Sequence, residues 1–248
     1  MPSALIFALH GLTGTGADFE CARRFFPEDS FRWDAPDIPP LALPETLAFL
    51  RERAEKLRAG TRGPLSLLGY SMGGRLALHL ARAFPWRAGD RLVLVSASPG
   101  LADARERALR CEADEALAQK IDAAESAEAF YSEWRKIPLI ATQERQPSPW
   151  RERLLARRAA ADKSVWSAHL RALGTGTLPS LWESLGEISA PETLLVVGEE
   201  DEKFRRLAEK MHAAIPRSRV ETVPACGHSP HLENPAAFAR ALLTRVRA

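Results

Sequence analysis

Short apolar runs and stretches with helical spacing alternate along this chain. The runs, which are typical of strands in a buried sheet, lie at residues 4–9, 31–36, 65–68, 91–96, 193–197 and 219–223. Helical patterns lie between and after them, at 18–26, 47–57, 76–84, 204–215 and 235–246, and Gly60 is placed to end the second of these. The alternation predicts an α/β fold with a mostly parallel central sheet and helices on both faces.

The pattern changes after the fourth strand. Residues 101–185 show almost no strand signal, and their helical runs, rich in Ala, Arg and Glu, are broken by prolines and by the stretch 174–176. A chain of 248 residues suits one domain with an insertion better than two independent domains. We therefore expect a core made of 1–100 and 186–248, with 101–185 inserted as an all-helical lid over the active site.

The third strand leads into the motif Gly69-Tyr70-Ser71-Met72-Gly73, and a helical pattern follows it. A G-x-S-x-G sequence between a strand and a helix predicts a tight turn that pushes the serine oxygen out of the sheet. The glycines on either side of the serine let neighbouring backbones approach closely. The helix that follows directs free backbone N–H groups at the same place. Ser71 is therefore the candidate nucleophile.

A nucleophilic serine needs a base, and the base needs an acid to orient it; in this type of fold they follow in the chain order serine, acid, histidine. Asp201 follows the fifth strand and His228 follows the last one, so we expect a Ser71–His228–Asp201 triad. His231, three residues farther on, is a weaker alternative base. The alternatives to Asp201 are its acidic neighbours Glu199, Glu200 and Glu202.

The first strand runs into a glycine-rich turn that begins His10-Gly11-Leu12. In serine enzymes of the α/β-hydrolase type, such a turn supplies one backbone N–H of an oxyanion hole, and the residue after the serine supplies the other. Those residues are Leu12 and Met72 here. The alternative is a turn that only lets the chain leave the sheet. His10 is expected to brace the loop and not to transfer protons.

Composition narrows the class of partner. A net charge of +2, spread along the chain, argues against a nucleic-acid partner. No apolar run approaches the roughly 18 to 20 residues that cross a bilayer, and the N-terminus has no charged leader, so we expect no membrane partner and a cytoplasmic location. Three scattered cysteines and the lack of metal-ligand spacing or a G-x-G-x-x-G motif predict no disulfide, metal or cofactor.

The chain resembles the α/β-hydrolase superfamily throughout, and more narrowly the 2-succinyl-6-hydroxy-2,4-cyclohexadiene-1-carboxylate synthases of menaquinone biosynthesis. The narrower similarity lies in the segments 69–78, 98–101, 130–134, 173–176, 198–204 and 227–235. It implies an enzyme without a cofactor that eliminates pyruvate from 2-succinyl-5-enolpyruvyl-6-hydroxy-3-cyclohexene-1-carboxylate. The reaction would begin with removal of a ring proton by the triad.

A substrate with several carboxylates suits arginine, whose planar guanidinium matches a carboxylate with two parallel hydrogen bonds. Arg75 lies one turn into the helix after Ser71 and points near it. The resemblance adds Arg110 and Arg158 from the lid, with Tyr70 and Trp134 lining the pocket. The expected partner is a small-molecule carboxylate, and the expected assembly is a monomer or a small homo-oligomer.

Three departures from the family pattern leave the reaction open. Ser229 stands where the family usually has an asparagine, an asparagine-bearing stretch is replaced by alanines at 159–161, and Ala102 stands where an amide side chain is common. A serine carboxylesterase, or another hydrolase that forms an acyl-enzyme on Ser71, is therefore the alternative. A ligand-binding relative that keeps the fold without chemistry is a third possibility.

Overall fold

The computed structural model describes residues 4–59 and 62–244. These residues form one six-stranded sheet in which every neighbouring pair is parallel, in the order β2-β1-β3-β4-β5-β6. The strands are β1 (Ala4–Leu9), β2 (Phe31–Asp34), β3 (Leu65–Tyr70), β4 (Arg91–Val95), β5 (Thr193–Gly198) and β6 (Ser218–Val223). This confirms the predicted α/β fold with a parallel sheet, in which the carboxyl ends of all strands meet at one edge.

Helices follow the strands on both faces of the sheet. They are α1 (Glu20–Arg23), α2 (Leu43–Arg58), α3 (Met72–Ala81), α4 (Ala104–Ala123), α5 (Ala127–Trp134), α6 (Pro138–Ala141), α7 (Trp150–Ala159), α8 (Lys163–Leu173), α9 (Glu202–Ala214), α10 (Pro230–Glu233) and α11 (Pro235–Leu243). Short 3₁₀ turns cover Gly16–Phe19, Thr142–Arg145 and Trp182–Glu187. Gly60, expected to end α2, and residues 245–248, which hold the end of the last predicted helix, lie outside the described residues.

The side chains of β1 alternate between two apolar clusters. Leu5, Phe7 and Leu9 are buried on the face covered by α2, α3 and α9, and Ile6 and Ala8 are buried on the face covered by α1 and α11. A strand buried on both faces must be apolar along its whole length. This is why the continuous apolar runs located the central strands correctly.

Two predicted elements at the edge of the sheet are wrong in extent. The strand expected over 31–36 ends at Asp34, because a proline at position 36 has no N–H for a strand ladder. The helix expected over 18–26 is a 3₁₀ turn followed by the single turn of α1. Asp18 interrupts it: the side chain is buried and accepts a hydrogen bond from the backbone N–H of Thr15, which starts the 3₁₀ turn.

The described chain contains no strand between β4 and β5, only α4 to α8 and two of the 3₁₀ turns. This helical insertion has a small core of its own, in which Ile121, Tyr131, Trp166 and Leu170 are buried against each other. None of the described helices is long and apolar enough to cross a bilayer. The boundaries of the insertion as a separate lid stay a prediction.

Candidate active site

Ser71 lies on a strained turn between β3 and α3. Its φ of 49° is in the left-handed region, where a residue with a side chain costs about 1–3 kcal/mol. Its N–H donates to the carbonyl oxygen of Val95, which holds the turn against β4. A side chain on Gly73 would meet the backbone of Leu9 at 2.2 Å, so only glycine lets α3 start this close to β1. The turn therefore presents the serine oxygen at the carboxyl edge of the sheet.

His228 hydrogen-bonds to both of its predicted partners. Its Nε2 lies 3.2 Å from Ser71 Oγ, and its Nδ1 lies 2.7 Å from Asp201 Oδ2. The other oxygen of Asp201 accepts the N–H of Phe204 at the start of α9, so the carboxylate is held from two sides. Both His228 and Asp201 are buried. Because Nδ1 donates to the carboxylate, Nε2 carries the lone pair that faces the serine hydroxyl.

The alternative base does not reach the serine. His231 is buried between the rings of Tyr70 and Phe19, at centroid distances of 4.4 Å and 5.0 Å, and neither of its ring nitrogens has a hydrogen-bond partner among the described residues. Burial in this aromatic cluster lowers its pKa to about 3. His231 is therefore a neutral core side chain.

The alternative acids are also engaged elsewhere. Glu199 accepts the backbone N–H of Ala225, Glu200 pairs with Arg145, and Glu202 pairs with Arg206, all in exposed positions. His10 braces its own loop, as expected. Its Nε2 accepts the N–H of Ile38 at 2.9 Å and its Nδ1 donates to the carbonyl of Gly11 at 2.8 Å.

A cavity of about 120 Å³ opens at Ser71 between the core and the helical insertion. Residues of the core and residues of the helical insertion both line it. The cavity brings together nine of the ten predicted site residues: Leu12, Tyr70, Ser71, Met72, Arg75, Arg110, Trp134, Arg158 and His228. The tenth, Asp201, contacts the nitrogen of His228 that faces away from the serine.

Arg75 has unused hydrogen-bonding capacity in this cavity. One terminal nitrogen donates to the carbonyl of Leu173 at 3.3 Å, and its Nε is buried without a partner among the described residues. Burial, followed by repulsion from Arg110, lowers its pKa to about 10. The guanidinium is thus still charged at neutral pH and lies where an anion would relieve its desolvation.

The two insertion arginines already have acidic partners. Arg110 Nε donates to Asp114 at 2.7 Å, and Arg158 donates from two nitrogens to the two oxygens of Asp18. Burial raises the pKa of Asp18, but the charges of Arg158 and Arg157 outweigh this and the net effect is a lowered pKa. Of the three predicted arginines, Arg75 is therefore the one without a carboxylate partner in the described structure.

Sequence reasoning missed several residues of the site. Asp18 and His169, which lies in the middle of α8, belong to no motif, although both line the cavity. Nε2 of His169 donates to the carbonyl of Ile38, and burial lowers the pKa of His169 to about 4, so it is neutral. Gln143 hydrogen-bonds to Ser229 beside His228 at 2.8 Å. No local pattern could have found Gln143, because it lies in a single 3₁₀ turn of the insertion, far in sequence from Ser229.

Comparison with known proteins agrees with this arrangement of strands. Residues 5–241 match the family described as "Alpha/beta hydrolase family". The chain belongs to the alpha/beta hydrolase family. The described residues contain no group of three or more His, Cys, Asp or Glu side chains arranged to hold a metal ion.

Two relatives within the family share an activity in their names. A Bacillus subtilis protein named "Putative 2-succinyl-6-hydroxy-2,4-cyclohexadiene-1-carboxylate synthase" is 34% identical over 179 residues, which cover 71% of this chain and 63% of that protein. A Serratia proteamaculans protein named as the same synthase is 28% identical over 71% of this chain and 65% of its own length. The match therefore spans slightly less than two thirds of each relative.

Solved structures extend the similarity over the whole chain. The structure of MenH from S. aureus has a TM-score of 0.88 and 28% identity, covering 98% of this chain and 93% of that one. An esterase from Exiguobacterium antarcticum has a TM-score of 0.75 at 19% identity, which shows the common fold alone.

Proposed function

We propose that this alpha/beta hydrolase eliminates pyruvate from 2-succinyl-5-enolpyruvyl-6-hydroxy-3-cyclohexene-1-carboxylate, a step of menaquinone biosynthesis. The observation that carries the proposal is Arg75, a half-buried arginine in the cavity of Ser71 whose Nε is buried and has no partner among the described residues. The names of the Bacillus and Serratia relatives support the same reaction. A purely hydrolytic site for neutral esters has no need of this cationic side chain.

The names of substrate and product define the bond changes. The substrate has one ring double bond, at C3, and the product has two, at C2 and C4. A proton therefore leaves C2 and the enolpyruvyl oxygen leaves C5. The C2–H electron pair forms the C2–C3 double bond, and the C3–C4 pair moves to C4–C5. The C5–O pair leaves with enolpyruvate, which takes a proton on carbon and becomes pyruvate.

Ser71 is the immediate base in this proposal. Its hydroxyl proton passes to Nε2 of His228 as its oxygen takes the proton from C2, and Asp201 stabilises the imidazolium that forms. Negative charge then develops on the succinyl carbonyl oxygen next to C2. The backbone N–H groups of Leu12 and Met72 are proposed to bind that oxygen, a contribution of about 10²–10³ in rate for one such donor.

The cavity also has to bind carboxylates. Arg75 is proposed to bind one of them directly, and Arg110 a second with the guanidinium nitrogens that Asp114 leaves free. Tyr70 and Trp134 line the cavity and are proposed to lie beside the ring of the substrate. Arg158 is proposed to contact the substrate while it stays paired with Asp18. The insertion over 101–185 is proposed to act as a lid, because excluding water strengthens every charge interaction inside the cavity.

A coupled pyruvate assay tests the proposal. The freshly generated enolpyruvyl substrate is mixed with the wild type and with Ser71→Ala, and spontaneous pyruvate loss is subtracted. The expected result is rapid release by the wild type that falls to background in the variant. Release by the wild type no faster than background would refute the proposed reaction.

The second candidate function is a serine carboxylesterase. The observation that favours it is the hydrogen bond from the Ser71 hydroxyl, on its strained turn, to Nε2 of His228, since an acyl-enzyme mechanism uses the same geometry. A panel of p-nitrophenyl esters separates the two candidates. Ester turnover that depends on Ser71, without pyruvate release above background, would favour the esterase.

A further inference from the structure

Glu233 at the end of α10 binds the backbone on both sides of His228. Its Oε2 accepts the N–H of Gly227 at 2.7 Å, and its Oε1 accepts the N–H of Ser229 at 2.9 Å. The carboxylate is buried, with 6% of its surface exposed. A buried carboxylate that accepts N–H groups makes charge-assisted hydrogen bonds, which are roughly twice as strong as neutral ones.

The same carboxylate also binds the helical insertion. Its Oε1 accepts the hydroxyl hydrogen of Thr142 at 3.0 Å, and Thr142 begins the 3₁₀ turn Thr142–Arg145. The next residue, Gln143, donates to the hydroxyl of Ser229 at 2.8 Å. A side chain at Gly227 would meet Thr142 Oγ1 at 2.5 Å. This turn therefore packs directly on Gly227, the residue before His228.

His228 is thus held at two places. Asp201 binds the imidazole, and Glu233 binds the backbone N–H groups of Gly227 and Ser229, the residues before and after it. The distance from His228 to Ser71 depends on both, because the imidazole cannot reach the serine if its backbone shifts. A misplacement of about 1 Å in a catalytic group can cost about 10²-fold in rate.

We propose that Glu233 is a positioning residue for His228, and that its bond to Thr142 makes the placement of the histidine depend on docking of the helical insertion. This rests on the proposed use of His228 as the base for Ser71, and it is independent of the identity of the substrate. A residue that only held α10 in place would affect stability and leave the reactivity of Ser71 unchanged.

The rate of Ser71 labelling by a fluorophosphonate tests the proposal on the full chain. In that reaction the serine oxygen bonds to phosphorus, fluoride leaves, and the serine proton goes to His228. Glu233→Gln keeps the shape but turns an amide N–H₂ toward a backbone N–H. We expect its labelling to be about 10- to 100-fold slower than that of the wild type at a temperature where both are folded.

Two matched pairs of variants complete the test. Thr142→Val removes the hydroxyl and should slow labelling severalfold, whereas Thr142→Ser keeps the hydroxyl and should label like the wild type. Glu199→Gln is the control for Glu233→Gln. The Glu199 carboxylate also accepts a backbone N–H of this loop, that of Ala225, but it is exposed to solvent. Glu199→Gln should label like the wild type. In the pyruvate assay, Glu233→Gln should lower kcat and leave KM nearly unchanged.

The outcomes separate this inference from the proposed function. A folded Glu233→Gln that labels at the wild-type rate overturns the inference, even if its melting temperature is lower. If Glu233→Gln does not fold, equal labelling of Thr142→Val and Thr142→Ser overturns it, and slower labelling of the valine variant supports it. A wild type that labels but releases no pyruvate contradicts the proposed reaction and leaves this test intact.

Discussion

Arg158 on α7 donates hydrogen bonds from two guanidinium nitrogens to the two carboxylate oxygens of Asp18, in the turn after β1, and both side chains are about 95% buried. The pair lies in the wall of the Ser71 cavity and ties the helical insertion to the core. An arginine that the family resemblance assigns to substrate binding therefore also has a structural partner. Removing that partner would leave the Arg158 guanidinium buried without a counter-charge.

Asp18→Asn should lower the free energy of unfolding by about 3–5 kcal/mol, because it leaves the Arg158 guanidinium buried without a counter-charge. Urea unfolding followed by circular dichroism measures the change. Asp34→Asn is the matched control: it removes the carboxylate that pairs with Arg53 at the surface, and should cost less than about 1 kcal/mol. Equal effects of the two substitutions would contradict the interpretation of Asp18.

The lowered pKa of Asp18 predicts a further difference in acid. A carboxylate whose pKa is lower in the folded state contributes stability that is complete above its ordinary pKa of 3.8 and is lost as the pH falls through the folded value. The wild type should therefore lose this contribution below about pH 4, and Asp18→Asn should lack that part of the loss. Unfolding curves between pH 6 and pH 2 test this.

Arg75→Ala should lower kcat/KM for pyruvate release by about 10- to 100-fold, since a charge-assisted hydrogen bond to a substrate carboxylate contributes about 1.5–3 kcal/mol. Arg82→Ala is the control, because Arg82 follows the same helix but pairs with Glu187 in solvent. The two variants are compared in the coupled pyruvate assay. An Arg75→Ala enzyme with wild-type kcat/KM would remove Arg75 from the proposed substrate site.

Asp201→Asn should lower kcat by about 10²–10⁴-fold. The amide of asparagine does not hold the imidazole of His228 in the form whose Nε2 lone pair faces the serine hydroxyl. The double variant Ser71→Ala with Asp201→Asn should be no slower than Ser71→Ala alone, since the residues act as one unit. Glu200→Gln, which changes the neighbouring surface carboxylate, should keep full activity. If the losses in the double variant were additive, Asp201 would act independently of Ser71 and not as part of the triad.

His231→Phe should keep the activity within a fewfold, because the imidazole is neutral, lies among aromatic rings and makes no hydrogen bond through its ring among the described residues. His228→Phe should abolish activity. A loss as large in His231→Phe would reopen the choice of base. Steady-state assays of the two variants, with melting temperatures as a check on folding, decide between them.

The depressed pKa of His231 also affects acid stability. Its folded pKa of about 3 lies below the ordinary 6.5, so the unfolded chain binds a proton at a pH where the folded chain does not. Stability must then fall as the pH drops from about 6.5 toward 3. In His231→Phe the free energy of unfolding should fall less steeply over this range. An unchanged slope would mean that the imidazole is protonated in the folded protein.

The local parts of this site were predictable from the sequence. The G-x-S-x-G turn depends on residues that are neighbours in the chain, and so does the placement of Asp201 and His228 just after strands. In a parallel sheet all carboxyl ends lie at one edge, so the order of the strands did not have to be known to expect these groups near each other. His10 was correctly expected to brace its loop, and the strand at 31–36 and the helix at 18–26 were wrong in extent.

The partners of the buried charges were decided only by the tertiary structure. Arg158 and Asp18 are 140 positions apart in sequence, and Thr142 and Glu233 are 91 apart. No sequence periodicity indicates such pairs. A buried charge or N–H group needs a hydrogen-bond partner, and the packing of the insertion on the core determines which residue supplies it. The sequence by itself determined the fold class and the candidate triad through short-range spacing. Packing of the insertion on the core decided which arginine in the cavity is left without a carboxylate partner and which groups bind the backbone around His228.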